Sequence, residues 1–343
     1  MFQKIWWFKK YWHVIALSSE LNKNKLLKRK FYWIPLIILK NKENKVNVFF
    51  DFCPHKKAPL NIKNNEIVCN YHGWKFHDNW NIKDIPSSPH LKNSLKCSLV
   101  NIVSVEKNGF IWIYPDGKNK IENEIPDVWE IVNKKWNNYF KHDIFETNDD
   151  LLIENFMDST HTPIVHNWLI RTNKTKTKHS IIIKQEKESI KAIFEETYEN
   201  VWLGINYFIW NKLKISHTDE FIPPNLIKVN YKINQVDRFQ AFIACTSYDK
   251  NKTIWFFNVS YNFWFLCNLI LKIILPYISN KVLKQDFDIT KLQFENKQFF
   301  EDISDLNIDY DLLHNKVKIL KNKIKNNQEI DDKISINNIN IYV

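Results

Sequence analysis

The chain has 343 residues, which is long enough for two domains, and its 44% hydrophobic and 15% aromatic residues allow a sizeable core. The net charge is +11, but the lysines are scattered among asparagines and acids and form no dense basic block. A generally basic, solvated surface explains this charge better than nucleic-acid binding, so no nucleic-acid partner is expected.

The cysteine pattern argues against a disulfide scaffold. Of the 5 cysteines, two lie in the metal motif described below, and the other three are an odd number without framework spacing. This pattern fits a reducing compartment, so a cytoplasmic protein is expected. Residues 1–17, MFQKIWWFKKYWHVIAL, have no long apolar core and no small-residue cleavage site, so no signal peptide is expected.

The N-terminal region predicts a short antiparallel β-domain. Polar residues 40–45 form a turn between its last two strands. The last strand leads directly into Cys53, so the sheet is expected to present a loop that carries this residue. Three runs are rich in β-branched and aromatic residues, namely His13–Leu17, residues 31–39 and Val46–Phe50.

Two loops follow, and each supplies one cysteine and one histidine. Cys53-Pro54-His55 and Cys69-Asn70-Tyr71-His72 form a C-x-H and C-x-x-H pair. Two thiolates on one iron and two imidazoles on the other are the ligand set of a Rieske [2Fe–2S] centre. The same four side chains also suit zinc, although the spacing favours the Rieske centre. Gly73 is one of only 4 glycines, and it is expected where the backbone turns tightly against the cluster.

The flanking residues resemble the Rieske domain of Rieske non-haem iron oxygenases. The resemblance lies in DFCPHKKAPL, residues 51–60, and CNYHGWKF, residues 69–76. Residues 109–114, GFIWIY, are similar to the strand that closes this domain. The respiratory-chain Rieske protein is a poorer match, because its loops each carry an additional cysteine. The stretch between His55 and Cys69 is a few residues shorter than in the family, and the turn after Phe76 lacks the family's glycine.

A polar, charged, proline-containing stretch at residues 118–130 predicts a domain boundary. Residues 1–118 are expected to form an all-β Rieske [2Fe–2S] domain, and residues 119–343 a catalytic domain with a mononuclear non-haem iron. Short apolar runs between residues 180 and 262 predict an antiparallel sheet. The resemblance implies flanking helices, and hence an α+β chain whose second domain is of the helix-grip type. Four aromatic residues are candidates for core or pocket lining: Trp202, Tyr207, Phe208 and Trp210.

Residues 149–166, DDLLIENFMDSTHTPIVH, carry a second concentration of polar side chains. The acids at its start predict the first turn of a helix. If the helix continues, Asn155, Asp158 and His161 recur every three residues and share one face. Pro163 is then expected to disturb the helix, so that the chain turns back toward the same point.

The two histidines of this stretch, His161 and His166, are five residues apart. With one distant carboxylate they make the 2-His-1-carboxylate facial triad of a non-haem Fe(II) oxygenase. The alternative is an amphipathic helix with incidental histidines. That alternative is disfavoured because a carboxylate and an amide occur in the same spacing, after a Rieske motif.

Residues 154–166 resemble the mononuclear-iron motif of the same oxygenases. The spacing of three between Asn155 and Asp158 matches the vanillate demethylase-like and pheophorbide oxygenase-like branch. The resemblance implies that His161 and His166 ligate iron and that Asn155 forms a hydrogen bond near it. It also implies that Asp158 connects His161 to the Rieske histidine of a neighbouring subunit in a homotrimer.

The third iron ligand must come from elsewhere in the chain. Residues 281–302 predict a helix, and within it Gln285-Asp286-Phe287-Asp288-Ile289 resembles the family segment whose first aspartate ligates iron. Asp286 is therefore the expected ligand, with Asp288 as the alternative. Residues 312–324 predict a further amphipathic helix.

An apolar stretch at residues 263–279, FWFLCNLILKIILPYIS, is long enough to suggest a membrane span. Asn268, Lys272 and Pro276 interrupt it, and the remaining runs are too short to cross a bilayer. A buried or interface helix is favoured, and peripheral membrane contact remains open.

The resemblance implies the terminal oxygenase component of a multi-component system. Electrons from NAD(P)H would arrive through a separate reductase, a ferredoxin or both, since the chain has no Gly-rich nucleotide loop. The branch implies monooxygenation with O2, by hydroxylation or oxidative demethylation, of a hydrophobic small molecule of partly aromatic character. Ring cis-dihydroxylation is the less favoured reaction. Two other classes stay open: a Rieske electron carrier without mononuclear iron, and a zinc-stabilised binding module.

Overall fold

The computed structural model describes residues 8–21, 26–63, 66–77, 79–117, 121, 124–128, 136–167, 169–170, 178–186, 188–197, 214–330 and 334–342. The chain divides into two compact units. The first comprises Met1–Pro126 and Thr246–Lys250, and the second comprises Asp127–Cys245 and Asn251–Val343. The first unit is all-β and the second combines one large sheet with helices, so the predicted α+β fold class is confirmed.

The first unit contains two antiparallel sheets. Its described strands are β1 (His13–Leu17), β2 (Leu27–Phe31), β3 (Ile34–Lys40), β4 (Val46–Phe50), β5 (Leu60–Lys63), β6 (Glu66–Cys69), β7 (Lys75–Phe76), β8 (Ile82–Asp84), β9 (Asn101–Lys107) and β10 (Phe110–Tyr114). The six-stranded sheet has the order β1-β10-β9-β4-β3-β2, and the four-stranded sheet the order β5-β6-β7-β8. The ligand-carrying loops follow β4 and β6, so the two sheets together position them.

Tyr32 and Trp33 break the single strand that the sequence predicts at residues 31–39. Both have positive φ, 46° and 55°, which is the conformation of a two-residue hairpin turn. Their backbone amides donate to the carbonyl oxygens of Ser247 and Tyr248 at 2.8 and 2.9 Å. The prediction was wrong because aromatic residues favour strands, whereas here long-range hydrogen bonds hold a turn.

The second unit is built on one eight-stranded sheet. Its described elements are β11 (Asn137–Phe145), α1 (Asp149–Met157), α2 (Thr162–Val165), β12 (Lys178–Glu186), β13 (Ser189–Thr197), β14 (Lys214–Ile222), β15 (Leu226–Ile233), β16 (Val236–Asp249), β17 (Lys252–Tyr261), α3 (Phe265–Phe299), α4 (Leu312–Lys325) and β18 (Ser335–Tyr342). The strand order is β11-β17-β16-β15-β14-β13-β12-β18. The predicted sheet between residues 180 and 262 is therefore present, and β11 and β18 extend it at its two edges.

Helix α1 begins where the sequence predicts and ends earlier. Asn148 caps it, because its side chain accepts the Leu151 N–H at 2.8 Å. The helix ends at Met157, and Asp158 has extended backbone, with φ −89° and ψ 119°. The Thr160 N–H donates to Asp158 Oδ1 at 2.7 Å. This local hydrogen bond competes with continuation of the helix, and the chain turns at this point.

Helix α3 is one continuous helix of 35 residues, with Pro276 inside it, where the sequence predicts two helical segments. Its first half was expected to be buried or to lie at an interface, and the structure partly buries one face of it, at Cys267, Leu271 and Leu275. The other face is exposed, and the helix is long and apolar enough by length and composition to cross a membrane. Its second half carries Asp286, which is buried.

Helix α4 attaches to α1 through a buried lysine. The Nζ atom of Lys321 lies 3.1 Å from Asp149 Oδ2 and 2.5 Å from Asp150 Oδ1. Burial alone would lower the pKa of Lys321, but the two carboxylates outweigh it and raise this pKa above its usual range. Both acids lie in the first turn of α1, where their charges also face the positive end of the helix dipole.

Replacing Lys321 with alanine should leave the Asp149 carboxylate without its cation. We expect the free energy of unfolding to fall by about 2 kcal/mol, because the mostly buried Asp149 carboxyl, whose pKa burial already raises, loses its cation. The matched control is Lys318→Ala, an exposed lysine on the same helix, which should change stability by less than about 0.5 kcal/mol. Urea denaturation followed by circular dichroism measures both, and equal losses in the two variants would contradict the role of the buried pair.

Candidate metal centres

The two cysteine-containing loops of the first unit share one backbone pattern. In each loop the cysteine N–H donates to the carbonyl oxygen five residues later, and the cysteine carbonyl accepts the N–H four residues later. These bonds, all 2.8 or 2.9 Å long, join Cys53 to Ala58 and Lys57, and Cys69 to Trp74 and Gly73. The fourth residue after each cysteine has positive φ, 61° at Lys57 and 70° at Gly73. The tight turn predicted at Gly73 is therefore present, and its counterpart at Lys57 was not predicted.

The four predicted ligand residues of this unit lie side by side. Cys53 and Cys69 are buried. The rings of His55 and His72 have centroids 4.8 Å apart, and His55 stacks on Trp74 at 5.0 Å with an interplanar angle of 7°. Burial, together with the adjacent Cys69 thiol, raises the pKa of Cys53 to about 11.

This arrangement fits a [2Fe–2S] cluster. A buried thiol with a raised pKa keeps its proton unless a metal replaces it. The Nδ1 atom of His72 is buried and has no hydrogen-bond partner among the described residues, so this ring nitrogen is available to a metal. Cys53, His55, Cys69 and His72 would hold the cluster, which would satisfy both the thiolates and this nitrogen.

Three side chains of the second unit converge on one point. His161 Nε2 and His166 Nε2 are 3.2 Å apart, and Asp286 Oδ1 lies 3.0 Å from His166 Nε2 and 3.5 Å from His161 Nε2. Two ligand atoms at right angles, each about 2.1 Å from a metal ion, are about 3.0 Å apart. The triangle therefore has the size of one face of an octahedron around a single ion.

The electrostatics of this triangle favour a cation. Asp286 Oδ1 is buried without a hydrogen-bond partner among the described residues. Burial raises the pKa of Asp286, but the two imidazoles outweigh it, so the pKa lies below its usual range and the carboxylate is ionised. Burial also opposes protonation of His161, yet Asp158 and Asp286 raise its pKa to about 9. A metal ion would therefore replace a proton at this ring.

The chain brings the two histidines together by ending one helix and starting another. Because α1 ends at Met157, Asn155, Asp158 and His161 do not share one helix face, contrary to the prediction. His161 precedes the single turn of α2 and His166 follows it. Pro163 was expected to disturb a long helix, but it lies in the first turn of α2, where proline is well tolerated.

Each histidine has a polar group behind its ring. His166 Nδ1 lies 3.0 Å from Gln285 Oε1, and His161 Nδ1 lies 3.6 Å from Asp158 Oδ2. Gln285 Oε1 accepts the Nδ1–H of His166, which leaves Nε2 of that ring free to bind a metal. The contact between His161 and Asp158 is electrostatic, since it is longer than a hydrogen bond. Gln285 was not predicted, and the available signal was a polar residue directly before the expected aspartate ligand.

The other residues predicted for the site are the alternative ligand Asp288, the amide Asn155 and four aromatic residues. Asp288 is exposed and pairs with Lys284 at 2.6 Å, so Asp286 and not Asp288 faces the histidines. Asn155 lies in the last turn of α1, and its amide oxygen is buried without a hydrogen-bond partner among the described residues. The aromatic candidates lie outside the described residues: Trp202, Tyr207, Phe208 and Trp210.

Family comparisons match the two units separately. Residues 11–97 match the Rieske [2Fe-2S] domain, and residues 145–325 match the vanillate O-demethylase oxygenase C-terminal domain. The second match covers more than half of the chain. The two matched segments contain both ligand sets described above.

Three curated relatives show the range of similarity. The oxygenase component of dicamba O-demethylase from Stenotrophomonas maltophilia is 32% identical over 162 residues, covering 45% of this chain and 46% of that protein. Flavonoid 8-hydroxylase 2 from Ocimum basilicum is 29% identical over 199 residues, covering 50% and 36%. Chlorophyllide a oxygenase from Chlamydomonas reinhardtii is 26% identical over 164 residues, covering 46% and 24%. The chain thus spans less than half the length of each.

Solved structures share the fold over nearly the whole chain. Dicamba monooxygenase bound to dicamba has a TM-score of 0.77 at 18% identity, covering 93% of this chain and 97% of that chain. NdmA of Pseudomonas putida CBB5 with caffeine has a TM-score of 0.68 at 16% identity, covering 92% and 90%. From the two family matches and this fold, the chain belongs to the Rieske non-haem iron oxygenases, with a Rieske domain followed by a catalytic domain of the vanillate O-demethylase type.

Proposed function

We propose that the protein is the terminal oxygenase component of a multi-component Rieske system. It would use O2 and electrons from a separate NAD(P)H-dependent reductase to hydroxylate, or oxidatively demethylate, a hydrophobic small molecule of partly aromatic character. The names of the relatives support this choice, since they include an O-demethylase, a flavonoid hydroxylase and a toluene-4-sulfonate monooxygenase.

One observation carries the proposal: two imidazole nitrogens and a buried carboxylate oxygen meet within 3.0–3.5 Å. Three ligands on one face leave the opposite positions of an octahedral ion open. An electron carrier or a zinc-stabilised binding module has no need of such a buried triad. We assign His161, His166 and Asp286 as the ligands of mononuclear Fe(II), and Cys53, His55, Cys69 and His72 as those of the Rieske cluster.

When bound, the cluster would supply single electrons, and the mononuclear iron would supply the open positions at which O2 and substrate meet. The protein's own residues fix the ligand geometry. Gln285 accepts the Nδ1–H of His166, and Asp158 faces the Nδ1–H of His161. The backbone N–H and the hydroxyl of Thr160 both donate hydrogen bonds of 2.7 Å to Asp158 Oδ1. The other carboxylate oxygen, Oδ2, is therefore directed to His161.

We further propose a reductase, a ferredoxin or both as electron-donating partners. His55 is exposed, and so are the neighbouring Lys56 and Lys57, so an acidic partner can approach the cluster ligands. We also propose a homotrimer in which Asp158 couples His161 to His72 of a neighbouring subunit. None of the 5 cysteines forms a disulfide, which fits the proposed cytoplasmic location.

Metal analysis of the wild type and two aspartate variants tests the proposal. Anaerobically purified wild type should hold about three irons per chain and, after dithionite reduction, give a Rieske EPR signal. Asp286→Ala should hold about two irons, keep the signal and lose oxygen uptake driven by NADH and a surrogate reductase with methoxylated aromatic substrates. The control Asp288→Ala should match wild type.

The rival functions predict different metal contents. Two irons in the wild type, with the signal intact, would indicate an electron carrier. Zinc without a Rieske signal would indicate a binding module. Chromatography of the products distinguishes hydroxylation or demethylation from ring cis-dihydroxylation.

Gln285→Leu should weaken iron binding at the mononuclear site. Without an acceptor at Nδ1, His166 loses the bond that fixes its tautomer and ring orientation, and we expect an affinity loss of about 10- to 100-fold. Competition with a chelator measures it, and Gln285→Glu should restore most of the affinity. The control Gln293→Leu changes an exposed glutamine of α3; an equal effect there would refute the orienting role.

Asp158→Asn should keep both metal centres and lose about 10- to 100-fold or more of the turnover rate, because the neutral amide cannot stabilise the His161 N–H as a carboxylate does. Iron content, the Rieske signal and oxygen uptake are compared with wild type. Retained turnover in a variant with full metal content would remove Asp158 from the proposed coupling between centres.

A further inference from the structure

The first half of α3 presents an apolar strip to the outside of the second unit. Leu266, Leu269, Ile273 and Tyr277 recur at helical spacing on one face, and Phe265 lies beside them. Their side chains are strongly exposed, with Ile273 at 78% and Phe265 at 80%. Contiguous exposed apolar surface of this kind marks an interaction site.

The opposite face of the same half-helix is already used. Cys267, Leu271 and Leu275 recur at intervals of four and pack against a cluster on the sheet that includes Val259 and Tyr261. The segment is therefore apolar on both sides, with one side held by the protein. A helix fixed in this way lies along its own sheet, and its outer strip is available to an apolar partner such as a membrane or another protein surface.

Positive charges at the two ends of the strip indicate which kind of partner it binds. At its start the Arg238 guanidinium lies 6.0 Å from the centre of the Trp264 ring, and at its end Lys281 Nζ lies 4.7 Å from the centre of the Tyr277 ring. Lys272 is exposed between them, and residues 264–285 contain no aspartate or glutamate. Aromatic rings and cations at the borders of an apolar strip are typical of segments that lie in the headgroup region of an anionic bilayer.

From this arrangement we infer that the outer face of α3 between Trp264 and Tyr277 is a docking surface for an anionic lipid bilayer. At 1.5 Å per residue the strip from Phe265 to Tyr277 is about 18 Å long, against a hydrocarbon thickness of about 30 Å. Because its inner side is also packed against the sheet, the helix lies on the membrane with its outer apolar side chains in the acyl boundary and does not span it. Lys272, Lys281 and Arg238 contact the lipid phosphates.

A second copy that covers the strip with its own strip, as in a two-fold dimer, is a poorer occupant. The contacts of the proposed homotrimer join two different patches, and the oligomer measurement below separates that case. In an isologous contact each patch faces its own copy. Antiparallel pairing of two strips would set Arg238 against Lys281, and parallel pairing would set each cation against itself. Both arrangements place like charges together, whereas anionic headgroups neutralise them.

The test is co-sedimentation of the full-length holoprotein with vesicles. Vesicles of phosphatidylglycerol mixed with phosphatidylcholine should bind wild type, vesicles of phosphatidylcholine alone should bind it less, and high salt should weaken binding. Ile273→Glu should reduce the partition coefficient at least about tenfold, because it places a charge in the acyl boundary. The matched control is Phe299→Glu, since Phe299 is 81% exposed on the same helix but lies among acidic residues.

The expected result is loss of vesicle binding in Ile273→Glu only, with unchanged iron content and melting temperature in both variants. Equal binding by Ile273→Glu and wild type, or no binding of wild type to either vesicle, would overturn the inference. So would a smaller oligomer in Ile273→Glu without vesicles, which would assign the strip to a protein interface. The readout is partitioning, so its failure leaves the proposed oxygenase activity untouched.

Discussion

A buried carboxylate oxygen that faces two imidazole nitrogens is the constraint on which the second unit depends. Three lone pairs within 3.0–3.5 Å of one another are unfavourable in a desolvated site unless a cation lies among them. To create this arrangement α1 must end early, α2 must be a single turn, and α3 must pack against the sheet. Each of these features departs from what local helix propensity alone would produce.

The ligand residues could be found from the sequence because metal chemistry limits the choice of side chain and spacing. The paired Cys and His loops, the two histidines five residues apart and the family resemblance led to side chains that the structure places together. The choice of Asp286 over Asp288 rested on resemblance, and burial separates the two in the structure. Gln285 escaped prediction because its role depends on an orientation that only the packed helix defines.

The errors in the predicted elements have a common physical origin in long-range contacts. The turn at Tyr32–Trp33 is held by backbone hydrogen bonds to residues more than two hundred positions away in the sequence. Strands β11 and β18 have polar, asparagine-rich sequences, and they form because each completes the hydrogen bonding of an edge strand of the sheet. Lys57 takes the left-handed conformation of Gly73 because its loop has the same hydrogen bonds, and lysine by itself gives no signal for it.

The separation of the ligands along the chain has a thermodynamic consequence. His166 and Gln285 are 119 residues apart, and Asp286 follows Gln285 directly. A metal ion in the triad therefore closes a long loop and ties the second half of α3 to the turn after α1. A metal that binds only the closed form stabilises it by RT ln(1 + [M]/Kd). Metal occupancy and local opening of α3 are then linked quantities. Iron supply would set the hydrogen-exchange protection of this helix, and chelation would loosen it before the sheet unfolds.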